Sequence, residues 1–237
     1  MLLFYVRHGD TIYKPDSLTE LGKEQAQALV NRMKVCSPQR IFASSSERAI
    51  MTAHPTATYL GKEIEILDWC NEQYAFNEFS VESENGSRKW GFADEKTKKI
   101  LVGEEIRRLD KEWYQHPVFK NTLFKEGVQR IQAETDKFML SLGYQHDERN
   151  NGYIPIRPNN DRIALFAHQG FGLIFLSCLM DIPYPILATR FDISHSSMTV
   201  IEFSKDEFVI PKALQVSNDS HVFASNIPTN YNNKILF

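Results

Sequence analysis

Two short apolar runs that each end directly in a histidine constrain the fold of this chain more than any other feature. Residues 2–6 are continuously apolar and lead into Arg7 and His8, and residues 162–167 are mostly apolar and lead into His168. Runs of this kind are typical of strands buried on both faces of a parallel sheet. Because open α/β sheets bind ligands beyond the carboxyl ends of their strands, the sequence predicts a site at the two histidines.

The rest of the chain alternates strands with helices. Thr19 precedes a helical pattern as its N-cap, residues 40–43 form a second short apolar run, and the helix after that run carries Arg48. Residues 63–67 alternate polar and apolar side chains, which predicts a half-exposed strand near a sheet edge. This alternation predicts an α/β fold of three α/β/α layers around a mostly parallel central sheet, with an inserted lid or helical region.

The middle of the chain has weaker patterns. Residues 73–100 show no clear period, and we expect an irregular lid or binding loop there. The aromatic residues between 69 and 92 indicate either a partly apolar pocket wall or a small satellite core. We further expect a helix with Ile106, Leu109 and Trp113 in register that ends near Pro117, a helix over residues 128–142, a loop over residues 150–160, and a hairpin of residues 198–203 with residues 208–210.

Length and composition exclude several classes of protein. The chain of 237 residues is long enough for one sizeable core, and we expect a single domain over residues 1–237 with a variable insertion at about 73–160. A net charge of −3 provides no global attraction to nucleic acid or to an anionic membrane. Cys36, Cys70 and Cys178 form neither a disulfide framework nor a zinc spacing, so a cytoplasmic location without a secretion signal is expected.

The side chains at the two strand ends suit phosphate chemistry. The guanidinium groups of Arg7 and Arg48 match two phosphate oxygens and stay charged. A single histidine at a strand end is more often a satisfied structural residue, and a single arginine is more often a solvated surface charge. Two histidines in equivalent positions beside glycines weaken that interpretation for His8 and His168.

An ordered set of motifs then resembles the histidine phosphatase superfamily, the phosphoglycerate mutase-like enzymes of branch 1. The motifs lie in the family's order across most of the chain, although the match fails between about 73 and 160. They are Arg7-His8-Gly9-Asp10-Thr11, Leu18-Thr19-Glu20-Leu21-Gly22, Ser44-Ser45-Ser46-Glu47-Arg48-Ala49, Asn71-Glu72, His168-Gln169-Gly170 and Asn218-Asp219-Ser220-His221.

The resemblance implies a phosphomonoester hydrolase that forms a phosphohistidine at His8 and acts on a small phosphorylated metabolite. It implies that Arg7, Arg48 and His168 surround the transferred group. Thr11 and the backbone N–H of Gln169 are further candidates for substrate binding. Glu72 would be the general acid and base, with nearby Glu78, Glu82 and Glu84 as other carboxylates in a loosely matched region. The resemblance implies no cofactor and no metal.

Three alternatives stay open at this stage. A phosphoglycerate mutase would return the phosphoryl group to its substrate, but Ile12, Tyr13 and Lys14 replace the Trp-Asn that usually follows the motif in glycolytic mutases. A phosphate-binding regulatory domain without turnover would usually lack one of the catalytic residues. A metal-dependent hydrolase is disfavoured because the seven histidines show no ligand spacing. Neither the substrate nor the oligomeric state can be read from the sequence.

Overall fold

Strands and helices alternate along most of the chain in the computed structural model, which describes residues 1–83 and 86–228. Within these residues the strands are β1 (Leu2–Arg7), β2 (Thr11–Tyr13), β3 (Asp16–Leu18), β4 (Arg40–Ser44), β5 (Ile64–Leu67), β6 (Ser80–Glu82), β7 (Arg88–Trp90), β8 (Tyr144–Asp147), β9 (Gly152–Pro155), β10 (Arg162–Ala167), β11 (Met198–Glu202) and β12 (Lys212–Asn218). The helices are α1 (Glu20–Cys36), α2 (Glu47–Leu60), α3 (Glu72–Phe79), α4 (Glu95–Leu101), α5 (Glu104–Leu109), α6 (Phe124–Ser141), α7 (Gln169–Met180), α8 (Tyr184–Arg190) and α9 (Ser220–Ala224).

The described residues form a central sheet of six strands in the order β12-β11-β1-β10-β4-β5. Strands β1, β10, β4 and β5 pair in parallel, and β11 is antiparallel to both of its neighbours. The expected mostly parallel sheet is therefore confirmed. Strand β5 lies at the edge of the sheet, as the alternating pattern of residues 63–67 predicts.

Helices cover both faces of the sheet, which confirms the three-layer arrangement. Successive side chains of a strand point to opposite faces, so Leu3 and Tyr5 of β1 pack in one cluster with residues of α6, α7 and α8. Phe4 and Val6 pack in the other cluster with residues of α1 and α2. Each fully buried aliphatic or aromatic side chain of this kind contributes about 1.5–3 kcal/mol.

Two helices show how the sequence directs local structure. Thr19 caps α1 as predicted, because its hydroxyl accepts a hydrogen bond from the backbone N–H of Gly22 at 3.0 Å. Helix α7 is apolar nearly all round because neighbouring helices and the sheet enclose it. No helix of the described residues is both long enough and apolar enough to cross a membrane.

The prediction of an irregular segment over residues 73–100 is wrong. This segment contains most of α3, the hairpin of β6 and β7, and α4. The helical period of α3 is hard to see because only Ala75 and Phe79 are buried, a single pair spaced by four residues. Strands β6 and β7 have three residues each, too few to show alternation.

Three further element predictions are wrong. The expected helix through Trp113 ends at Leu109, because Asp110 has a φ of 52° and a 3-10 turn follows it. The expected loop over residues 150–160 contains β9, which pairs with β8. The expected hairpin does not form: β11 pairs with β12, and Val209 instead bridges to Tyr153. The helix error concerns a backbone angle and the hairpin error a partner that is distant in sequence, neither of which local patterning encodes. Strand β9 pairs with its neighbour in sequence but has only four residues, too few to show a clear alternation.

A partly buried charged cluster connects elements of the helical layer, away from the two histidines. The ring of His146 lies 3.0 Å from Asp136 and 3.1 Å from Asp181, and the ammonium of Lys111 lies 2.7 Å from Asp181. Burial lowers the pKa of His146, but the hydrogen bonds that its ring donates to the two carboxylates, together with their negative charges, outweigh burial and raise it to about 9. His146 therefore holds a positive charge between α6, β8 and the end of α7.

This cluster predicts that the stability of the folded protein decreases at alkaline pH. Because the pKa of His146 is raised in the folded state, its protonation stabilises the fold, fully so below its ordinary pKa near 6.5. This stabilisation is lost as pH rises through about 9. We expect His146→Gln to lower Tm by about 2–4 °C near neutral pH and by much less above the raised pKa. Thermal unfolding across this range measures it, with His116→Gln, at a more exposed ion pair, as the control. A difference in Tm that is independent of pH would contradict the assignment.

Candidate active site

The carboxyl ends of the four parallel strands meet at one edge of the sheet, and the candidate residues meet there. Because β1 pairs with β10 in the register Arg7 to Ala167, His8 and His168 follow at the same level. Their ring centroids lie 5.2 Å apart, edge to face. Arg48 and Glu72 arrive from the segments that follow β4 and β5. The site predicted from the two strand-end histidines is thus one compact cluster.

His8 is a neutral, oriented imidazole. Its Nδ1 lies 2.7 Å from the carbonyl oxygen of Gly9, which can only accept, so Nδ1 carries the proton. Its Nε2 accepts from Nε of Arg48 at 3.3 Å. Burial, together with His168, Arg7 and Arg48, holds the pKa of His8 well below its ordinary value. Nε2 therefore carries a lone pair rather than a proton at neutral pH.

Close backbone packing explains the glycine after His8. A Cβ on Gly9 would lie 2.6 Å from the carbonyl oxygen of Gly22, and a Cβ on Gly22 would lie 2.0 Å from the carbonyl oxygen of Asp10. The N–H of Gly9 donates to the hydroxyl of Thr52 at 3.0 Å. The loop after β1 is thus pressed against α1 and α2, which fixes the direction of the His8 ring.

Arg48 connects the other side chains of the site. Its Nη1 lies 2.7 Å from Asp16, and its Nη2 lies 3.4 Å from Glu72. Arg48 is 8% exposed, so these charges meet largely out of water. The residue lies in the first turn of α2, where the Ser44–Ser46 turn directs the helix toward His8. Its guanidinium is fixed in orientation and lies close to Nε2 of His8.

Glu72 lies at the start of α3 and against the N-terminus of α7. Its Oε1 accepts from the backbone N–H of Gly170 at 2.8 Å and of Phe171 at 3.3 Å. Burial raises the pKa of Glu72, although Arg48 and Arg7 oppose this shift. A carboxyl group with a raised pKa is suited to give and take a proton near neutral pH.

The other acidic residues considered with Glu72 lie elsewhere. Glu78 forms an ion pair with Arg130 at 2.6 Å, and Glu82 is exposed on β6. Glu84 lies outside the described residues. Glu72 is therefore the carboxylate among Glu72, Glu78 and Glu82 that faces the histidines.

His168 presents an N–H group to the centre of the site. The hydroxyl of Ser44 accepts from the N–H of Ser46, so its own proton can be donated to Nε2 of His168, 2.8 Å away. Nδ1 then carries the proton; it has no hydrogen-bond partner among the described residues and lies 3.4 Å from Glu72. Burial, Arg48 and Arg7 hold the pKa of His168 well below its ordinary value. A buried N–H of this kind is suited to an oxygen of a bound anion.

His195 is a site residue that the sequence analysis missed. The guanidinium of Arg7 donates from Nη1 to the carbonyl oxygen of Ile193 and contacts Nε2 of His195 through Nη2 at 2.9 Å. Nδ1 of His195 lies 3.7 Å from Asp10, and its ring centroid lies 5.7 Å from that of His8. The one available signal was position: His195 precedes a strand that runs antiparallel to β1, so its loop returns to the same edge.

The motif at residues 218–221 packs against the loop that contains His195 and supports it. The hydroxyl of Ser194 donates to Asp219 at 3.1 Å, and the hydroxyl of Ser196 lies 2.9 Å from Nε2 of His221. These contacts fix the segment that holds Arg7. The motif that resembles the family at residues 218–221 therefore acts on the site through the loop.

Thr11 and Gln169 direct their side chains away from the histidines. The hydroxyl of Thr11 donates to the carbonyl oxygen of Ser17 at 2.8 Å, within the β2-β3 hairpin. The amide of Gln169 donates to Asp192. Gln169 nevertheless opens α7, where backbone N–H groups point toward the site. The substrate-binding roles of both residues stay predictions.

The charge of the cluster suits an anion better than a cation. Ligand atoms of His8, Glu72 and His168 lie within 4.8 Å of one another, a grouping that a metal ion can use. Two guanidinium groups, those of Arg7 and Arg48, converge on the same place and repel a cation. Arginine pairs and neutral N–H donors are the groups that bind phosphate oxygens.

A cavity of about 460 Å³ opens beside Arg48 and Glu72. The basic residues Arg88, Lys89, Arg107 and Arg108 are not among the described residues of its wall. The described residues that line it are Tyr13, Lys14, Asp16, Ser46, Arg48, Asn71, Glu72, Gln73, Phe76 and Trp90.

Solved structures of phosphatases share this fold. A mycobacterial glucosyl-3-phosphoglycerate phosphatase in complex with inorganic phosphate is 19% identical, with 93% of this chain and 99% of that chain covered and a TM-score of 0.57. A phosphoserine phosphatase from Entamoeba histolytica is 16% identical, with 93% and 98% covered and a TM-score of 0.58. A putative α-ribazole-5′-phosphate phosphatase from Escherichia coli is 18% identical, with 92% and 98% covered and a TM-score of 0.57.

The sequence itself assigns the family. No curated protein matches the chain. The profile of the histidine phosphatase superfamily (branch 1), in contrast, matches residues 3–214, a range that includes the two strand-end histidines, both arginines and Glu72. The chain therefore belongs to branch 1 of the histidine phosphatase superfamily.

Proposed function

We propose that this protein is a phosphomonoester hydrolase that forms a phosphohistidine at Nε2 of His8. One arrangement carries the proposal: a neutral His8 with its Nε2 lone pair directed into the site, beside two guanidinium groups and a carboxyl group of raised pKa. The family to which the chain belongs and the phosphatases that share its fold support it. The substrate class we propose is a small phosphorylated metabolite.

In the first step Nε2 of His8 attacks phosphorus in line with the ester oxygen. The N–P bond forms as the P–O ester bond breaks, and the leaving oxygen takes the proton of Glu72. The imidazole becomes positively charged, and its Nδ1–H continues to donate to the carbonyl oxygen of Gly9, which stabilises that charge. A difficult displacement is thereby divided into two easier ones.

In the second step water attacks the phosphohistidine. The Glu72 carboxylate takes a proton from the water, the N–P bond breaks, and inorganic phosphate leaves. His8 regains its lone pair and Glu72 its proton, so the cycle closes. Arg7, Arg48 and the Nδ1–H of His168 would surround the phosphoryl oxygens in both steps, and each preorganised contact of this type is worth about 2.7–4 kcal/mol of barrier.

Hydrolysis rather than phosphoryl return to the substrate is supported by the phosphatases that share the fold, and by Ile12, Tyr13 and Lys14, which stand where glycolytic mutases usually have Trp-Asn. The two arginines supply the positive charge that a metal ion supplies in other phosphatases, so we propose turnover without metal. Hydrolysis and turnover without metal are both testable with the purified protein.

The direct test compares wild type with His8→Ala on 4-nitrophenyl phosphate in the presence of a chelator. We expect the variant to lose activity by about 10³-fold or more, because the nucleophile is absent. The wild type should form an acid-labile, base-stable phosphoprotein that the variant does not form. His54→Ala, an exposed histidine of α2, is the matched control. Chelator-resistant hydrolysis that survives His8→Ala would overturn the proposal.

Glu72→Gln should discriminate between leaving groups. The value of kcat/KM reports the first step, so it should fall by about 10²–10⁴-fold for glycerol 3-phosphate and by much less for 4-nitrophenyl phosphate. Because the pKa of Glu72 is raised, wild-type kcat/KM for the alkyl substrate should stay high above the ordinary carboxyl pKa and fall as pH rises through the raised value. This decrease of kcat/KM at high pH should be absent in Glu72→Gln, whereas Glu78→Gln should show it as the wild type does. Equal losses on both substrates would contradict the role.

His195→Ala should weaken catalysis through Arg7. Loss of one hydrogen bond of about 1 kcal/mol predicts a decrease in kcat/KM of about 5-fold. His195→Gln should recover most of this loss, because its amide oxygen can accept from the guanidinium where Nε2 did. Kinetics of the two variants measure the effect. An equal loss in both variants would assign His195 a different role.

A further inference from the structure

The cavity beside Glu72 has an aromatic wall. Phe76 of α3 and Trp90 of β7 both line it, and their rings meet edge to face with centroids 5.3 Å apart. Both residues are partly exposed, so their rings contribute surface to the cavity. Phe92 stacks on Trp90 at 5.6 Å but is not among the residues that line the cavity. Phe92 therefore contacts Trp90 from outside the cavity.

This wall lies against the backbone that holds the proposed acid. A Cβ on Gly170 would lie 2.3 Å from Cζ2 of Trp90, so the indole rests on the first turn of α7. The N–H of the same Gly170 donates to Glu72 at 2.8 Å. Since Glu72 protonates the leaving oxygen in the proposed mechanism, the group attached to that oxygen emerges beside the indole ring.

A third aromatic residue lines the cavity from another element. Tyr13, at the end of β2, lines the same cavity, and the guanidinium carbon of Arg48 lies 5.4 Å from the centroid of its ring. Tyr13 is 66% exposed, so much of its ring surface is accessible. Rings from the β2-β3 hairpin and from α3 and β7 therefore flank the same space.

The charges of the cavity limit what fits between these rings. Among the described lining residues, the cations are Arg48 and Lys14. Arg48 already forms ion pairs with Asp16 and Glu72. The other cation, Lys14, lies at the exposed tip of the β2-β3 hairpin. A leaving group with several negative charges would lack partners here and would meet two carboxylates. An uncharged planar group meets apolar ring faces instead.

We propose that Phe76, Trp90 and Tyr13 form a subsite for a planar aromatic leaving group, so that aryl phosphomonoesters are the preferred substrate class. The proposal rests on the phosphatase function proposed above and specifies the substrate of that site. A cavity of about 460 Å³ accepts a ring of this size. Ring stacking favours aromatic over saturated groups of the same volume.

Binding tests the subsite without turnover. Calorimetry with benzylphosphonate and with its saturated counterpart, cyclohexylmethylphosphonate, compares two ligands of similar size. Wild type should bind the aromatic ligand about 3–10-fold more tightly. Phe76→Leu and Trp90→Leu should each reduce this preference, whereas Phe92→Leu should retain it.

Turnover provides the second measurement. The ratio of kcat/KM for phenyl phosphate to that for glycerol 3-phosphate should fall about 3–10-fold in Phe76→Leu and Trp90→Leu relative to wild type. The intrinsic difference in reactivity between the two leaving groups is the same for wild type and variants, so it cancels in this comparison. Phe92→Leu should keep the wild-type ratio, and circular dichroism checks that all variants are folded.

The outcomes separate the two proposals. Hydrolysis of both substrates with no preference for benzylphosphonate would overturn the subsite and leave the phosphatase function intact. A preference for benzylphosphonate without hydrolysis of either substrate would overturn the phosphatase function and leave the aromatic subsite. A loss of preference in Phe92→Leu equal to that in Phe76→Leu would show a general effect of the segment and overturn the subsite.

Discussion

The parallel pairing of β1 with β10 is the constraint on which the rest of the structure depends. Two parallel neighbours end at the same edge, and their register sets Arg7 opposite Ala167, so the residues that follow stand side by side. Strands β4 and β5 extend the same edge and deliver Ser44, Arg48 and Glu72 to it. A one-residue shift of this register would turn the side chains of β1 to the opposite layers and separate the two histidines.

Burial then gives the cluster its chemistry. Both imidazoles lie out of water beside guanidinium groups, and these two influences act in the same direction, so the pKa of His8 and that of His168 are low. The carboxyl group of Glu72 is buried in the same place and responds in the opposite direction, because burial penalises its charged form. One desolvated site therefore contains a neutral base and an acid that retains its proton to higher pH.

Much of this arrangement was predictable because it is encoded locally. The apolar runs, Thr19 as an N-cap and the edge strand near residues 63–67 follow from periodicity and capping, which depend on neighbours in sequence. The segment over 73–100 was predicted wrongly because its strands are short and α3 buries few side chains, so they show little periodicity. The hairpin expected at 208–210 and the helix expected through Trp113 were predicted wrongly because their outcome depends on a distant partner or on a single backbone angle, such as the positive φ of Asp110.

The sequence by itself determined that two histidines follow buried strands, that an arginine precedes the first of them, and that the fold is α/β. Only the tertiary structure decided which carboxylate faces them, that His195 contacts Arg7, and that Phe76 and Trp90 share one cavity wall. The physical reason is the distance along the sequence over which each kind of interaction acts. Strand and helix patterns arise within a few residues, whereas these contacts join segments up to 188 residues apart and exist only once the sheet is assembled.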